Sequence, residues 1–310
     1  MSAVVYPSAI ARPRARRRIA WGYVARTLAA ATVAGIFLLP ILWWGLASIK
    51  PTQEILSVPP KLLDFDPTLN WYRVVLGNAD PTQFNLETTG SVGRGSGGST
   101  FFSLPYLRDS AVVGVGSTVL VLLLASPAAY AMSRFSLRWR KDLAFWILSQ
   151  RMMPPIVAAF PLFFVFRTLG WIDTYHGLIL VHAAMNVPLA VLLLMSFFDE
   201  VPRDLDDAAM VDGATRFGAF LNSLTLVRGG LVATAVLAFI FSWNEFLLSL
   251  VLTTGVVRTV PVASSTFTTA FITEWGYLAA LGIASMVPIF VFILIVQRHL
   301  VRGLTLGAIK

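Results

Sequence analysis

HGLILVHAAMNVPLAVLLLMSFF, residues 176–198, is an apolar run without a charged side chain. About 20 apolar residues in a helix cross the roughly 30 Å hydrocarbon core of a bilayer, so this run predicts a membrane-spanning helix. The chain is therefore expected to be all-α, a polytopic membrane protein with six transmembrane helices. The five other runs of this kind are 27–49, 111–132, 143–168, 229–252 and 276–297.

The composition excludes an ordinary soluble domain. Hydrophobic residues make up 56% of the 310 residues, charged residues make up 13%, and the mean hydropathy is +0.74. Soluble chains have about 45–50% apolar and about 25% charged residues, so the main solvent of this chain is expected to be lipid. The chain has no cysteine, which excludes disulfides, thiol catalysis and cysteine-ligated metals.

The net charge of +8 would suggest a nucleic-acid partner in a soluble protein, but in a membrane protein basic residues set the orientation. With a cytoplasmic N-terminus, 16 basic residues fall in cytoplasmic segments and 6 in outside segments. Both termini are therefore expected in the cytoplasm, and no nucleic-acid partner is expected. Residues 1–26 and 301–310 are the two cytoplasmic tails. The run 27–49 is too long for a secretory signal and is interpreted as an uncleaved first span.

The segment 50–108 is expected to be an extracytoplasmic loop that contains a flexible stretch of glycine and serine around residues 93–98. Residues 109–300 then form a five-helix core. None of the chain's lysines is followed by Ser or Thr, so the sequence has no Walker A phosphate-binding loop. We expect no bound cofactor, no metal and no catalytic residue, and any ATP must be used by another chain.

The cytoplasmic loop 199–228, between the fourth and fifth spans, carries six of the sixteen acidic residues. Pro202 suits the first position of a helix, and acidic residues in the first turn suit the helix dipole. Gly213 supplies a left-handed stop, and Thr215 can cap a second helix. The pattern predicts a short helix, a tight turn and another short helix. The residues of this loop are compatible with two interpretations. One is a hairpin that lies on the membrane surface, and the other is a docking site for a partner protein; the local pattern favours neither.

Five separated segments carry motifs in a fixed order. DAAMVDGA, residues 207–214, is similar to the signature E-A-A-x-x-D-G-A. FSWNEF, residues 241–246, and QRHLVRGLT, residues 297–305, are similar to W-N-E-F and to Q-R-x-L-V-x-G-L-T. LGWIDT, residues 169–174, and SIKP, residues 48–51, also have counterparts. By these motifs the chain resembles ABC importer permeases of bacteria, in the carbohydrate or maltose-type branch.

The resemblance implies the type I ABC importer permease fold and a place in the bacterial inner membrane. It implies a second permease subunit, two ATPase subunits that use ATP and Mg, and an extracytoplasmic solute-binding protein. The implied solute is a sugar, oligosaccharide, polyol or glycerol phosphate. The signature's first glutamate is an aspartate here, and a downstream Leu-Pro is Thr225-Leu226. The residues that the resemblance assigns to coupling with the ATPase are Asp207, Ala208, Ala209, Asp212, Gly213 and Ala214.

The solute pathway is less defined by the sequence. Glu245 is the only acidic residue in the six predicted spans, and an ionisable group inside a membrane is usually functional. The alternative is that Glu245 lies near the outer end of the fifth span and has a structural role. Pro154 and Pro155 predict a kink for packing or a polar cavity in the third span. The pathway candidates are Gln150, Arg151, Asn186, Asn244 and Glu245.

Two other functions are compatible with six spans. A self-sufficient secondary carrier usually has inverted repeats and intramembrane charges, but the sequence shows no repeat and only one intramembrane acid. An intramembrane serine hydrolase needs a serine beside a histidine base. The chain lacks a Gly-x-Ser-Gly motif, and the sequence singles out no serine as a partner for His176 or His182.

Overall fold

The computed structural model describes residues 21–77, 103–268 and 273–306. The described residues are almost entirely helical, and their one β contact is an isolated bridge between Thr268 and Thr273. The chain divides into two compact units, residues 1–44 and 45–310. Most of the predicted N-terminal tail, the glycine- and serine-rich stretch and the last four residues lie outside the described residues.

Thirteen helices make up the described part of the chain. In order they are α1 Trp21–Ala47, α2 Thr52–Ile55, α3 Asn70–Val75, α4 Leu104–Arg134, α5 Arg140–Met152, α6 Pro155–Leu169, α7 Tyr175–Glu200, α8 Asp204–Val211, α9 Arg216–Leu226, α10 Arg228–Trp243, α11 Leu247–Leu252, α12 Val260–Ser265 and α13 Trp275–Leu306.

Four helices are long and apolar enough to cross a membrane: α1, α4, α7 and α13. The predicted spans 27–49, 111–132, 176–198 and 276–297 fall on these four helices. The number of spans rises to six if each of two bent helix pairs is one span, α5 with α6 and α9 with α10.

The kink predicted in the third span is a sharp break. Helix α5 ends at Met152, α6 begins at Pro155, and the two helices meet at an angle of 88°. A proline disfavours a helical conformation in the residue before it, but it fits the first turn of a new helix. Pro154 and Pro155 therefore end one helix and open the next.

The prediction of one continuous helix over 229–252 is wrong. Helix α10 ends at Trp243, and α11 begins at Leu247. The amide side chain of Asn244 donates to the C=O of Ile240 at 2.8 Å. Polar side chains that hydrogen-bond to nearby backbone groups compete with the helix, so the polar residues in this apolar run interrupt it.

Helices α4, α7 and α10 form the frame of the larger unit, with α4 packed along α7 and α10 packed on both. Small residues permit close contact, because a Cβ added to Gly230 of α10 would lie 2.4 Å from the ring of Phe197 in α7. The core of this frame includes the fully buried side chains of Val121, Leu194 and Phe198.

A second cluster packs α3 and α12 against the start of α13. Trp71 lies at its centre, where its indole N–H donates to the C=O of Lys50 at 2.7 Å. The Trp71 ring meets Tyr277 edge to face, with centroids 4.8 Å apart. A Cβ on Gly276 would lie only 2.4 Å from the Trp71 ring, so this glycine allows the contact.

Two carboxylates fasten the loop between α11 and α12. Asp173, in the turn between α6 and α7, accepts hydrogen bonds from the backbone N–H groups of Val256 and Val257, both at 2.9 Å. Asp109, in the first turns of α4, accepts from the N–H of Arg258 at 3.1 Å. The loop is therefore held by residues from two distant parts of the sequence.

Candidate functional site

The predicted hairpin of α8, a tight turn and α9 lies between α7 and α10. The N–H of Ala214 donates to the C=O of Ala209 at 2.9 Å, which is the long hydrogen bond of a Schellman turn. Gly213 has a φ of +92°, a conformation that glycine adopts with little strain. The hydroxyl of Thr215 accepts from the N–H of Gly218 at 3.1 Å and caps α9, as predicted.

Pro202 does not occupy the first position of α8, because that helix begins two residues later at Asp204. The C=O of Pro202 accepts from the N–H of Leu205 at 3.3 Å, so the proline lies in the turn that leads into the helix. The acidic residues still fall in the first turn, where negative charge stabilises the helix dipole.

Most of the predicted coupling residues lie on the surface of the hairpin. Four are exposed and two are half-buried: Asp207, Ala208, Asp212 and Gly213, then Ala209 and Ala214. Beside them the apolar side chains of Leu205, Val211 and Phe217 are also exposed, with Val211 at 87%. Apolar surface around a fixed turn suits contact with a protein partner.

Asp206 is the buried acidic residue of the hairpin, and the sequence did not single it out. Its Oδ2 lies 2.6 Å from Nε of Arg134 at the end of α4, and the two side chains are only 9% and 7% exposed. Its Oδ1 accepts a hydrogen bond from the hydroxyl of Ser223 in α9. The three residues are far apart in sequence, so no local spacing could have revealed the contact.

A second link joins the start of the hairpin to the same end of α4. The guanidinium of Arg203 donates to the C=O of Ser133 at 2.7 Å. The hydroxyl of Ser133 in turn donates to Asp199 at 2.6 Å, and Arg140 donates to the other oxygen of Asp199 at 2.6 Å. The hairpin is therefore attached to α4 at two adjacent residues.

Among the solute-pathway candidates, the structure brings Arg151 and Asn186 together. Nη1 of Arg151 donates to the C=O of Met185 at 2.9 Å and lies 3.4 Å from Oδ1 of Asn186. The guanidinium lies over the ring of Phe241, 4.6 Å from its centroid, in a cation–π contact. Because Arg151 is near the end of α5 and Phe241 near the end of α10, the breaks in the third and fifth spans lie close together.

Two other candidates do not join this group. Gln150 and Asn244 are exposed, and within the described residues neither is hydrogen-bonded to Arg151 or Asn186. Glu245 has a different position. Its carboxylate accepts a hydrogen bond from the backbone N–H of Leu248 at 2.9 Å. Because Leu248 lies in the first turn of α11, Glu245 stabilises the helix that begins after the break.

His182 is the centre of a buried polar network that the sequence did not predict. Its Nδ1 lies 2.7 Å from the hydroxyl of Ser242, and its Nε2 lies 3.0 Å from the hydroxyl of Ser249. Ser117 donates to Ser242 at 2.9 Å, and Oε2 of Glu245 lies 3.4 Å from Nε2 of His182. The network joins α4, α7, α10 and α11.

The hydrogen-bond partners of His182 could not be predicted from the sequence, because they lie on other helices. Two serine hydroxyls contact this histidine, and the sequence singled out neither of them. His182, Ser242 and Ser249 are all buried, and both imidazole nitrogens are engaged. Fully engaged buried groups of this kind specify how helices pack.

Comparison with known proteins gives a consistent result. The family described as the binding-protein-dependent transport system inner membrane component matches residues 121–306. A probable ABC transporter permease protein of Sinorhizobium fredii is 35% identical, over 96% of this chain and 97% of that protein. The trehalose transport system permease protein of Mycobacterium tuberculosis is 38% identical, over 96% and 99% of the two chains. The trehalose/maltose transport system permease protein of Thermococcus litoralis is 33% identical, over 91% and 95%.

A solved structure shows the same fold. It is a chain of a bacterial ABC transporter involved in the import of the acidic polysaccharide alginate, with a TM-score of 0.66 and 18% identity, over 93% of this chain and 99% of that chain. Together with the apolar helices and the α8–α9 hairpin, these matches show that the chain belongs to the family of inner membrane components of binding-protein-dependent transport systems, as a permease subunit and not an enzyme.

Proposed function

We propose that this chain forms half of the solute pathway of an ATP-driven importer for a carbohydrate or a related solute. The observation that carries the proposal is the exposed hairpin, which has a fixed turn and is fastened to a long membrane helix. Relatives named as permeases for trehalose, for trehalose and maltose, and for sulfoquinovosyl glycerol support a solute of this class. The partners are a second permease subunit, two ATPase subunits that use ATP and Mg, and an extracytoplasmic binding protein.

The hairpin is the element that couples this chain to an ATPase. Asp207 is exposed and available to pair with a basic group of the partner, and Ala208 and Ala209 permit close approach. Gly213 holds the turn that presents them. Two helices joined by a fixed turn can pass a displacement onward as a rigid body, whereas a flexible loop would absorb it.

The hairpin faces the cytoplasm in this proposal, and both termini lie on the same side in a bacterial inner membrane. The excess of basic residues, 16 in the proposed cytoplasmic segments against 6 outside, supports this orientation. The loop fastened by Asp173 and Asp109 then faces the binding protein.

The solute passes close to the paired breaks of the third and fifth spans. Arg151, Asn186 and the ring of Phe241 form a polar and aromatic group there. Gln150 is exposed in α5, Asn244 is exposed just after the end of α10, and Glu245 stabilises the start of α11. Interrupted helices in transporters commonly surround solute sites, because non-helical backbone within a membrane needs polar surroundings.

The variant Gly213→Asp tests the coupling role. It places a charged side chain in the turn and in the contact with the ATPase, so uptake should be lost while the chain still inserts. The solute for this assay is chosen first, by a screen for ligands that raise the melting temperature of the binding protein. Trehalose and maltose are the first candidates in that screen. Asn222→Asp, which adds the same charge at an exposed position of α9, is the control and should transport normally. Native uptake by Gly213→Asp in vesicles with the complete complex would refute the coupling role.

A further inference from the structure

We infer that Asp206 is a positioning residue of transport, which with Arg134 fixes the hairpin to the end of α4 so that the two move together. The inference rests on the proposed coupling function of the hairpin. It assigns a role to a buried aspartate that contacts Arg134 and Ser223. Asp206 acts through Arg134, and the exposed Asp207 beside it is the residue left for the partner.

The ion pair is buried and its charged atoms lie close together. Both side chains are more than nine-tenths buried, and the nearest charged atoms are 2.6 Å apart. The hydroxyl of Ser223 occupies the second oxygen of Asp206, so the carboxylate cannot rotate without breaking a contact. Since Asp206 is in α8 and Ser223 is in α9, the carboxylate that pairs with Arg134 also joins the two helices of the hairpin.

The neighbouring contact makes the attachment resistant to rotation. Arg203, just before α8, donates to the C=O of Ser133, the residue next to Arg134 in α4. A single contact would let the hairpin pivot about one point. Two contacts to consecutive residues, approached from α8 and from the segment before it, restrict both sliding and pivoting.

Helix α4 is suited to carry the displacement onward. Its 31 residues span about 46 Å at about 1.5 Å per residue, and it packs along α7 and against α10. Near its other end, Asp109 holds the loop between α11 and α12 through the N–H of Arg258. One helix therefore links the hairpin to the opposite end of the same unit.

The test uses the complete importer, purified with cysteine-free partner chains and reconstituted in nanodiscs. Because this chain has no cysteine, spin labels can be attached at Asn222→Cys in α9 and Arg138→Cys after α4, both exposed positions. Pulsed EPR measures the distance between the labels without nucleotide and with MgATP plus vanadate. ATP hydrolysis is measured in the same preparation with and without the binding protein.

Asp206→Asn should broaden the distribution of label distances at least twofold and abolish the stimulation of ATP hydrolysis by the binding protein, while the ATPase chains still co-purify. Asp204→Asn, an exposed carboxylate of the same helix, is the matched control and should change neither measurement. Native distances in Asp206→Asn would overturn the inference. Broadened distances with native stimulation would overturn it too, because the ion pair would then be structural only.

Ser223→Ala keeps the test decisive if Asp206→Asn fails to assemble. It leaves the ion pair but frees one oxygen of Asp206, so we expect a smaller broadening and a partial loss of stimulation, and native behaviour would overturn the inference. A failure of the coupling proposal can be distinguished from a failure of this inference. If Gly213→Asp transports normally while Asp206→Asn still broadens the distances, the attachment is real and the coupling role is wrong.

Discussion

The carboxylate of Glu245 accepts a hydrogen bond from the backbone N–H of Ser249 at 2.9 Å. The same carboxylate accepts from the N–H of Leu248. The first N–H groups of a helix have no acceptor within the helix, so Glu245 supplies them at the start of α11. The one acidic residue of the predicted spans thus stabilises the break in the fifth span.

The first prediction concerns this cap. Glu245→Ala should lower the free energy of unfolding by about 0.5–2 kcal/mol, the usual range for a lost cap, and should lower the melting temperature of the purified complex. Glu245→Gln retains an acceptor oxygen and should lose less. A native melting temperature for Glu245→Ala would show that the carboxylate does not act as a cap.

The second prediction concerns His182. His182→Phe removes one hydrogen-bond partner from each of the buried Ser242 and Ser249 hydroxyls, and a lost hydrogen bond costs about 0.5–1.5 kcal/mol. The melting temperature of the complex should therefore fall. His176→Phe is the control, since His176 is exposed, and it should be close to neutral. A native melting temperature for His182→Phe would mean that the network does not stabilise the bundle.

The third prediction concerns the effect of low pH on the loop between α11 and α12, which Asp173 holds in place. Burial raises the pKa of the Asp173 carboxyl, but hydrogen bonds from the N–H groups of Val257 and Val256 and from the Thr254 hydroxyl outweigh this, so the pKa lies below its ordinary value. Because the folded state has the lower pKa, this contact stabilises the loop above the unfolded pKa. The stabilisation is lost as the pH falls through the folded pKa.

Amide hydrogen exchange of the loop between α11 and α12 measures this effect. After correction for the intrinsic rate, protection of Val256 and Val257 should be constant near neutral pH and should fall below about pH 4, the region where an ordinary aspartate titrates. Residue 173 has a positive φ of 62°, which asparagine tolerates. The variant Asp173→Asn should therefore keep the backbone conformation but lower protection at neutral pH. Protection in the native chain that stays constant down to pH 2 would contradict the prediction.

The fourth prediction compares two glycines of α13. Gly276→Ala places a methyl group against the Trp71 ring, and overpacking of this kind costs about 1–3 kcal/mol. Gly282→Ala is the matched control, because no atom lies within 4 Å of the added Cβ. Only the first variant should lower the melting temperature, and equal effects would show that contact with Trp71 is not the cause.

The sequence was sufficient for four of the six predicted spans and for the hairpin because their signals are local. Long apolar runs, a glycine at a left-handed turn and a threonine cap each depend on a few consecutive residues. Membership of the permease family also decides against the secondary carrier and the hydrolase, which composition alone left open. The break at Asn244 was missed because the surrounding apolar residues outweigh two polar ones in any hydropathy average.

The polar contacts inside the bundle could not be predicted for a different reason. Arg134 and Asp206 meet only after α4 and α8 have packed, and so do His182 and its serines. Nothing in the spacing of Asp204, Asp206 and Asp207 tells which of them is buried. Pairing between distant side chains is a property of the tertiary structure, whereas the sequence pattern reports only the face and the length of each helix.

The Schellman turn at Gly213 also bears on how the transporter is assembled. Its hydrogen bonds are supplied by the hairpin itself, so in the proposed coupling role the turn is already formed when an ATPase binds. Binding then needs little ordering of the chain, and the entropic cost of association is smaller than for a segment that folds on contact. Subunit recognition should accordingly resemble the docking of two preformed surfaces. The change in heat capacity on binding should be small, and the association rate should be little reduced by conformational search.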